Sequence, residues 1–207
     1  MKLFPLLVCA CALLAAGCSS PQDNAVDADH LPRADHAELA ELHRQDQAGR
    51  MARPIDWDAL VVEDRERRRR VQELLDADSV VTAADYFHAA MIFQHGADST
   101  AYRKAHELAQ RSVELDSTNG VARWLTAASW DRYLISIGEP QWYGTQSLTL
   151  DGTTYLRRID TTRVSDPERQ RLGVETLSEI RTRLTEANGA DRGLWQLPDS
   201  IRVKVRG

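Results

Sequence analysis

The sequence predicts a mainly α fold, built of antiparallel helical hairpins, with one small β-hairpin after the fifth helix. Three observations carry this expectation. Apolar residues recur at helical spacing through most of the chain from residue 34 to residue 137. Pro54, Gly96, Asn119-Gly120 and Gly138 with Pro140 stand where those stripes stop. Leu148-Thr149-Leu150 and Thr153-Thr154-Tyr155-Leu156 flank Asp151-Gly152, a dipeptide favoured in a type I′ turn, and so read as a hairpin.

The chain opens with Met1-Lys2, an apolar run of 14 residues from Leu3 to Ala16, and then Gly17-Cys18-Ser19-Ser20. A positive start, a short apolar run and small residues before a cysteine are the pattern of a lipoprotein signal peptide over residues 1–17. A helix needs roughly 20 residues to cross a bilayer core, so a permanent span is the weaker reading. Ala15 departs from the pattern, because leucine is commoner three places before the cysteine. The expected product is a protein cut before Cys18 and tied to a membrane by lipid on that residue. An ordinary signal peptide with an incidental cysteine is the alternative. Ser19 points to the periplasmic face of the outer membrane, if the source has two membranes.

Residues 18–33 then form a tether of Ser, Pro, Asp, Asn and Ala with little large apolar content. Cys9 and Cys11 leave with the signal peptide and Cys18 is acylated, so the folded part has no thiol for a disulfide or a thiolate metal site. Without Lys2, 25 basic residues face 31 acidic ones, a poor balance for binding nucleic acid. Residues 34–190 are expected to be one helical domain with its β-hairpin near 146–157, followed by a tail over 191–207.

The first helix is expected from about Ala34 to Arg50, with Leu39 and Leu42 as apolar contacts and Arg53-Pro54 closing it. Trp57 opens the second, where Leu60, Val61, Val71, Leu74 and Leu75 mark a buried stripe. Its run Arg65-Glu66-Arg67-Arg68-Arg69-Arg70, preceded by Glu63-Asp64, reads as a solvated helix face. Thr82 is the expected N-cap of a third helix reaching His95, with Gly96 as its stop. A fourth runs from Ser99 or Thr100 to about Leu115, and a fifth from Val121 to Ile137. A last helix is expected over Glu168 to Ala187, before Asn188-Gly189.

Ala105, Ala109, Val113, Leu115-Asp116, Asn119 and Ala122 resemble the junction between two tetratricopeptide repeats. One junction without a full repeat at a 34-residue period implies hairpin packing and not a scaffold array.

Chemistry is sought among polar residues on apolar surfaces. On the third helix Asp85, His88, Ile92 and His95 fall within an arc of roughly 80° on the helical wheel. That stripe is either a metal or acid/base site or a set of hydrogen-bonded core residues. The histidines are two turns apart, wider than the one-turn spacing of dedicated zinc helices. On the fifth helix Asp131 lies on one face with Trp124, Ala127, Ala128 and Ile135. A buried carboxylate there needs a partner, such as Arg50 or a histidine of the third helix. Gly138-Glu139-Pro140-Gln141-Trp142-Tyr143-Gly144-Thr145-Gln146 fits no standard phosphate loop, nucleophile elbow or metal motif. Its amides and hydroxyls suit a neutral polar ligand, or fasten the hairpin to the helices.

Asp46-Gln47 with Arg50, Gln94-His95, Asp131-Arg132, and Gln141-x-Tyr143-Gly144-Thr145-Gln146 resemble, in order, the signature of an uncharacterised bacterial family, domain of unknown function 6624. The likeness spans about Leu39 to Leu184, and its Tyr-Gly-Thr-Gln element is the most specific part. The resemblance implies a mainly helical domain and a shared site, without an established activity. If the elements meet, His95 is the expected proton-transfer group and Asp131 its orienter or a second acid. Arg50 and Arg132 would anchor an anion or the carboxylates Asp46 and Asp131, and Gln141 and Gln146 would be ligand donors.

Three classes of function follow. The first is an envelope lipoprotein that binds a small polar ligand or an envelope protein, with no cofactor. The second is a hydrolase-like enzyme using His95 and Asp131, although no nucleophile stands in a known motif. The third is a purely structural envelope protein.

Overall fold

Each helix among the described residues of the computed structural model begins on a side chain that accepts a first-turn backbone N–H. The structure describes residues 33–194 and 196, which fall in the unit from Arg33 onward. The expected signal peptide, Cys18 and the tether through Pro32 lie outside the described residues, as does most of the C-terminal tail. Among the described residues the elements are α1 (Ala37–Met51), α2 (Trp57–Asp76), α3 (Ala83–Gln94), α4 (Ser99–Leu115), α5 (Gly120–Ser136), β1 (Ser147–Leu150), β2 (Thr153–Leu156), α6 (Asp166–Arg171) and α7 (Leu177–Asn188). The caps are His36, Asp56, Thr82, Asp98, Asn119, Ser165 and Thr176. A cap of this kind adds about 1 kcal/mol by satisfying an N–H that has no partner inside the helix.

Helix α3 packs most extensively against α4, and α4 against α5. Ala89, Ala90, Ala105, Ala109 and Ala122, all fully buried, let these backbones approach closely. Four-residue connections, 95–98 and 116–119, turn each helix back on its predecessor. Leu39 of α1, Val71 and Leu74 of α2, Ile92 of α3 and Leu125 of α5 fill the core between them. Each such side chain contributes about 1.5–3 kcal/mol on leaving water. The architecture is mainly helical with one two-stranded antiparallel sheet. No helix among the described residues is long and apolar enough to cross a membrane.

The hairpin forms where Asp151-Gly152 places it. Asp151 and Gly152 have φ of 47° and 77°, the paired left-handed geometry of a type I′ turn, and Leu150 stands opposite Thr153. A smaller core of Leu156, Ile159, Ile180 and Leu184 joins β2 to α7. Gln196 of the expected tail bridges to Leu156 and accepts the Ile159 N–H at 3.4 Å.

Two expectations are corrected. Val61 is exposed and does not belong to the buried stripe of α2; the stripe runs Leu60, Asp64, Arg67, Val71, Leu74. The last helix is two, because Gly173 takes a left-handed φ of 69° and lets the Val174 N–H turn back to the Arg169 carbonyl at 2.9 Å. The chain then restarts at Thr176, whose side chain and Glu179 form a reciprocal cap.

Candidate functional site

The polar residues singled out in the sequence gather in two separate places. The first is the corner where α1, α2 and α3 meet. Asp46 and Arg50 stand one turn apart on α1, Asp64 and Arg67 nearly one turn apart on α2, and His95 caps the C-terminal end of α3. Arg50 donates to Asp46 Oδ1 at 2.8 Å and to Asp64 Oδ2 at 2.7 Å. Arg67 donates to Asp64 Oδ1 at 2.8 Å, while its Nε stays 3.9 Å from Asp46 Oδ1. Carboxylates and guanidiniums therefore alternate, and each buried charge faces an opposite one, without which burial would cost several kcal/mol per ion. Burial raises the Asp64 carboxyl, but the hydrogen bonds from Arg50 and Arg67 outweigh it and hold the group below its ordinary value.

Asp46 also receives Gln47 Nε2 at 2.8 Å and His95 Nδ1, which lies 3.0 Å from Oδ1 and 2.9 Å from Oδ2. A carboxylate only accepts, so Nδ1 carries the proton of this contact and Nε2 is left outside it. The Asp46 side chain is 1% exposed and that of His95 17%. Among the described residues Nε2 has no hydrogen-bond partner. Arg68 donates to the His95 carbonyl at 3.1 Å and satisfies the end of α3. This corner presents one oriented imidazole edge to solvent on a rigid charged base.

The second place is the turn between α5 and β1. Asp131, fully buried, accepts the N–H groups of Trp142 and Tyr143 on Oδ1 at 2.8 and 2.9 Å. The N–H and hydroxyl of Thr145 reach Oδ2 at 2.9 and 2.8 Å. Burial raises the Asp131 carboxyl above its ordinary value, against the pull of these four donors. From the other side Arg169, also fully buried, donates to the carbonyls of Trp142 at 3.0 Å and Tyr143 at 2.7 Å. Burial lowers the Arg169 guanidinium from its ordinary value, offset in part by Asp166 and Asp131.

Gln141 is fully buried and plays the part of a strand segment: Nε2 donates to the Gln146 and Arg157 carbonyls at 2.9 and 2.8 Å, and Oε1 accepts the Gln146 N–H at 2.9 Å. Gly144 sits at φ +84°, where an added Cβ would come within 2.7 Å of Ile180 Cδ1. Gln146 Nε2 bonds Thr145 Oγ1 at 2.9 Å. Asp131, Gln141 and the backbone of Tyr143 are thereby consumed in holding the turn.

The structure corrects several expected roles. The orienter of His95 is Asp46 and not Asp131, and the partners of Asp131 are backbone N–H groups and a hydroxyl, with neither Arg50 nor a histidine among them. Arg132 does not pair with Asp131; its guanidinium lies 6.0 Å over the Tyr102 ring. Gln94 is buried with Oε1 lacking a hydrogen-bond partner. Among the described residues no hydrogen bond or ion pair links the His95 corner to the Asp131 turn.

The residues Asp85, His88 and His95 also part company. Asp85 accepts the N–H groups of His36, Val81 and Thr82 at 2.7, 3.2 and 3.1 Å, which hold its carboxyl below the ordinary value despite burial. His88 stacks on His43 with ring centres 4.5 Å apart. No group of three metal-ligating side chains converges among the described residues.

Sequence reasoning missed Asp64, Arg67, Arg68 and Arg169. The first two had a signal, since they continue the spacing from Leu60 to Val71 through what read as a solvated charge run. Arg68 lies within that run and is half-buried, whereas Arg69 is exposed and Arg70 half-buried, the two pairing with Glu66, Glu73 and Glu38. Arg169 carried no signal, because its ligands are carbonyls of a distant turn. No family model, curated protein or solved structure matches the chain, so the geometry of its own residues carries the functional reading.

Proposed function

We propose that this chain is an exported, lipid-anchored envelope protein whose helical domain binds a small polar ligand at the α1–α2–α3 corner, with His95 as the residue that meets it. The observation that carries this reading is the Asp46–His95 pair: Nδ1 is fixed on a buried carboxylate while the ring keeps an exposed edge. A side chain needed only for packing would not require that arrangement. Arg50, whose side chain is 21% exposed, adds a partly open cation beside it. The ligand expected is one that hydrogen-bonds to Nε2 and tolerates a neighbouring guanidinium. The Asp131 turn is the frame of the fold in this reading.

A thermal-shift screen of the mature chain against envelope metabolites tests it, with His95→Gln and Gln146→Ala alongside. The reading expects a compound that stabilises the wild type and Gln146→Ala but leaves His95→Gln unmoved. Equal stabilisation of all three proteins would remove His95 from the site.

The same pair favours a second reading, an enzyme in which His95 Nε2 takes a proton from water or a substrate hydroxyl and Asp46 steadies the resulting imidazolium. Turnover of a hit compound, lost in His95→Gln with binding retained, would distinguish it from simple binding.

A further inference from the structure

A groove lies between the start of α4 and the end of α5, and neither His95 nor Asp46 lines it. It is an open groove of about 310 Å³, within the range of small-ligand sites. Ser99, Thr100 and Lys104 of α4 line one wall, and Tyr133 and Ile137 of α5 the other.

The chain has only three lysines, Lys2, Lys104 and Lys204. The charge around Lys104 is not balanced. Arg103 and Glu107 also border the groove, but they pair with each other at 3.1 Å and cancel. Farther along α4, Arg111 pairs with Glu114 at 2.9 Å. Lys104 is half-buried and has no ion-pair or hydrogen-bond partner among the described residues. Beside it the hydroxyls of Ser99, Thr100 and Tyr133 are likewise without hydrogen-bond partners among the described residues. The Tyr133 ring is held by Trp130, with centres 5.2 Å apart, so this wall is positioned and not loose.

We infer that this groove binds a small organic anion, its carboxylate or phosphate group on Lys104 and the three hydroxyls, its apolar part against Tyr133 and Ile137. One uncompensated cation with three hydroxyls suits an anionic group that accepts several hydrogen bonds. The apolar wall favours an anion carrying an aryl or short alkyl group over a bare inorganic ion.

The test is the rate of Lys104 acetylation by limiting acetic anhydride in the full chain, followed by peptide mass spectrometry at constant ionic strength. Lys204 in the same chain is the internal control. Phenyl phosphate, benzoate and inorganic phosphate serve as protecting probes. The inference expects phenyl phosphate or benzoate to slow Lys104 modification at least five-fold, saturably, with Lys204 unchanged. Which of the two protects better identifies the preferred headgroup. Protection by neither, equal slowing at both lysines, or inorganic phosphate protecting as well as the organic anions would each overturn it.

Discussion

His95 and Asp46 stand 49 residues apart in the chain, yet Nδ1 of the one meets both carboxylate oxygens of the other, at 3.0 and 2.9 Å. Asp46 serves four neighbours at once, since Gln47, Arg50 and Arg67 face the same carboxylate. The two residues of the pair therefore carry unequal weight. Asp46→Asn removes the buried charge that Arg50 and Arg67 share with Asp64, leaving Asp64 alone between the two guanidiniums, and is expected to cost about 3 kcal/mol. His95→Ala removes one hydrogen bond at a half-open edge and is expected to cost about 1 kcal/mol. Urea unfolding at pH 7 compares them, and equal losses would mean that the arginines do not depend on Asp46.

Asp131 and Arg169 hold the turn at 142–145 from opposite sides, one through its N–H groups and the other through its carbonyls. Asp131→Asn leaves amide hydrogens facing amide hydrogens, and Arg169→Met leaves two carbonyls without donors. Each is expected to cost about 2–3 kcal/mol. Both act on one turn, so the double variant should lose at least 1 kcal/mol less than the sum, on the order of couplings measured within one network. Strict additivity in a double-mutant cycle would separate the two grips.

Acid is expected to weaken the fold before the carboxylates titrate. Burial lowers His43, His88 and His106 from their ordinary value of 6.5. A base with a depressed folded value binds more protons when unfolded, so stability is complete above about pH 6.5 and falls as pH drops through that value toward the folded one. The thermal midpoint should be level between about pH 7 and 8 and decline between about pH 6.5 and 5. His88→Gln, which cannot ionise, should flatten part of that decline; a profile that stays level to pH 5 would contradict this account.

Gly144 and Gly189 both take positive φ, 84° and 67°, but only the first is crowded. Gly189→Ala meets open space and should cost about 1 kcal/mol from backbone strain alone. Gly144→Ala adds a clash with Ile180 Cδ1 at 2.7 Å and Ile159 Cδ1 at 3.1 Å, and should cost about 2–4 kcal/mol. Thermal or urea unfolding of the two variants reads the difference.

Most of the fold was legible because its signals are local. Thr82, Asp98 and Asn119 mark helix starts by side chains that reach N–H groups two or three residues on, and Asp151-Gly152 fixes a turn by its own two backbone angles. The break at Gly173 was hidden, because Leu172 and Val174 continue an apolar pattern and the stop depends on a φ that the residue type permits without requiring.

The candidate site was legible as a membership and not as a geometry. Asp46, Arg50 and His95 could be named as chemistry-bearing residues, and Asp131 could be placed on an apolar face. The sequence by itself determined the first five helices, the hairpin and the burial of Asp131, since spacing and side-chain reach settle those within a few residues. Only the tertiary structure decided which carboxylate orients His95, that the Asp131 turn is gripped by Arg169, and that Arg67 turns inward from a charged run. The His95–Asp46 and Arg169–Tyr143 pairings join residues 49 and 26 positions apart, and opposite charges or donors and acceptors carry no label for their partner until packing brings one of several within 3 Å.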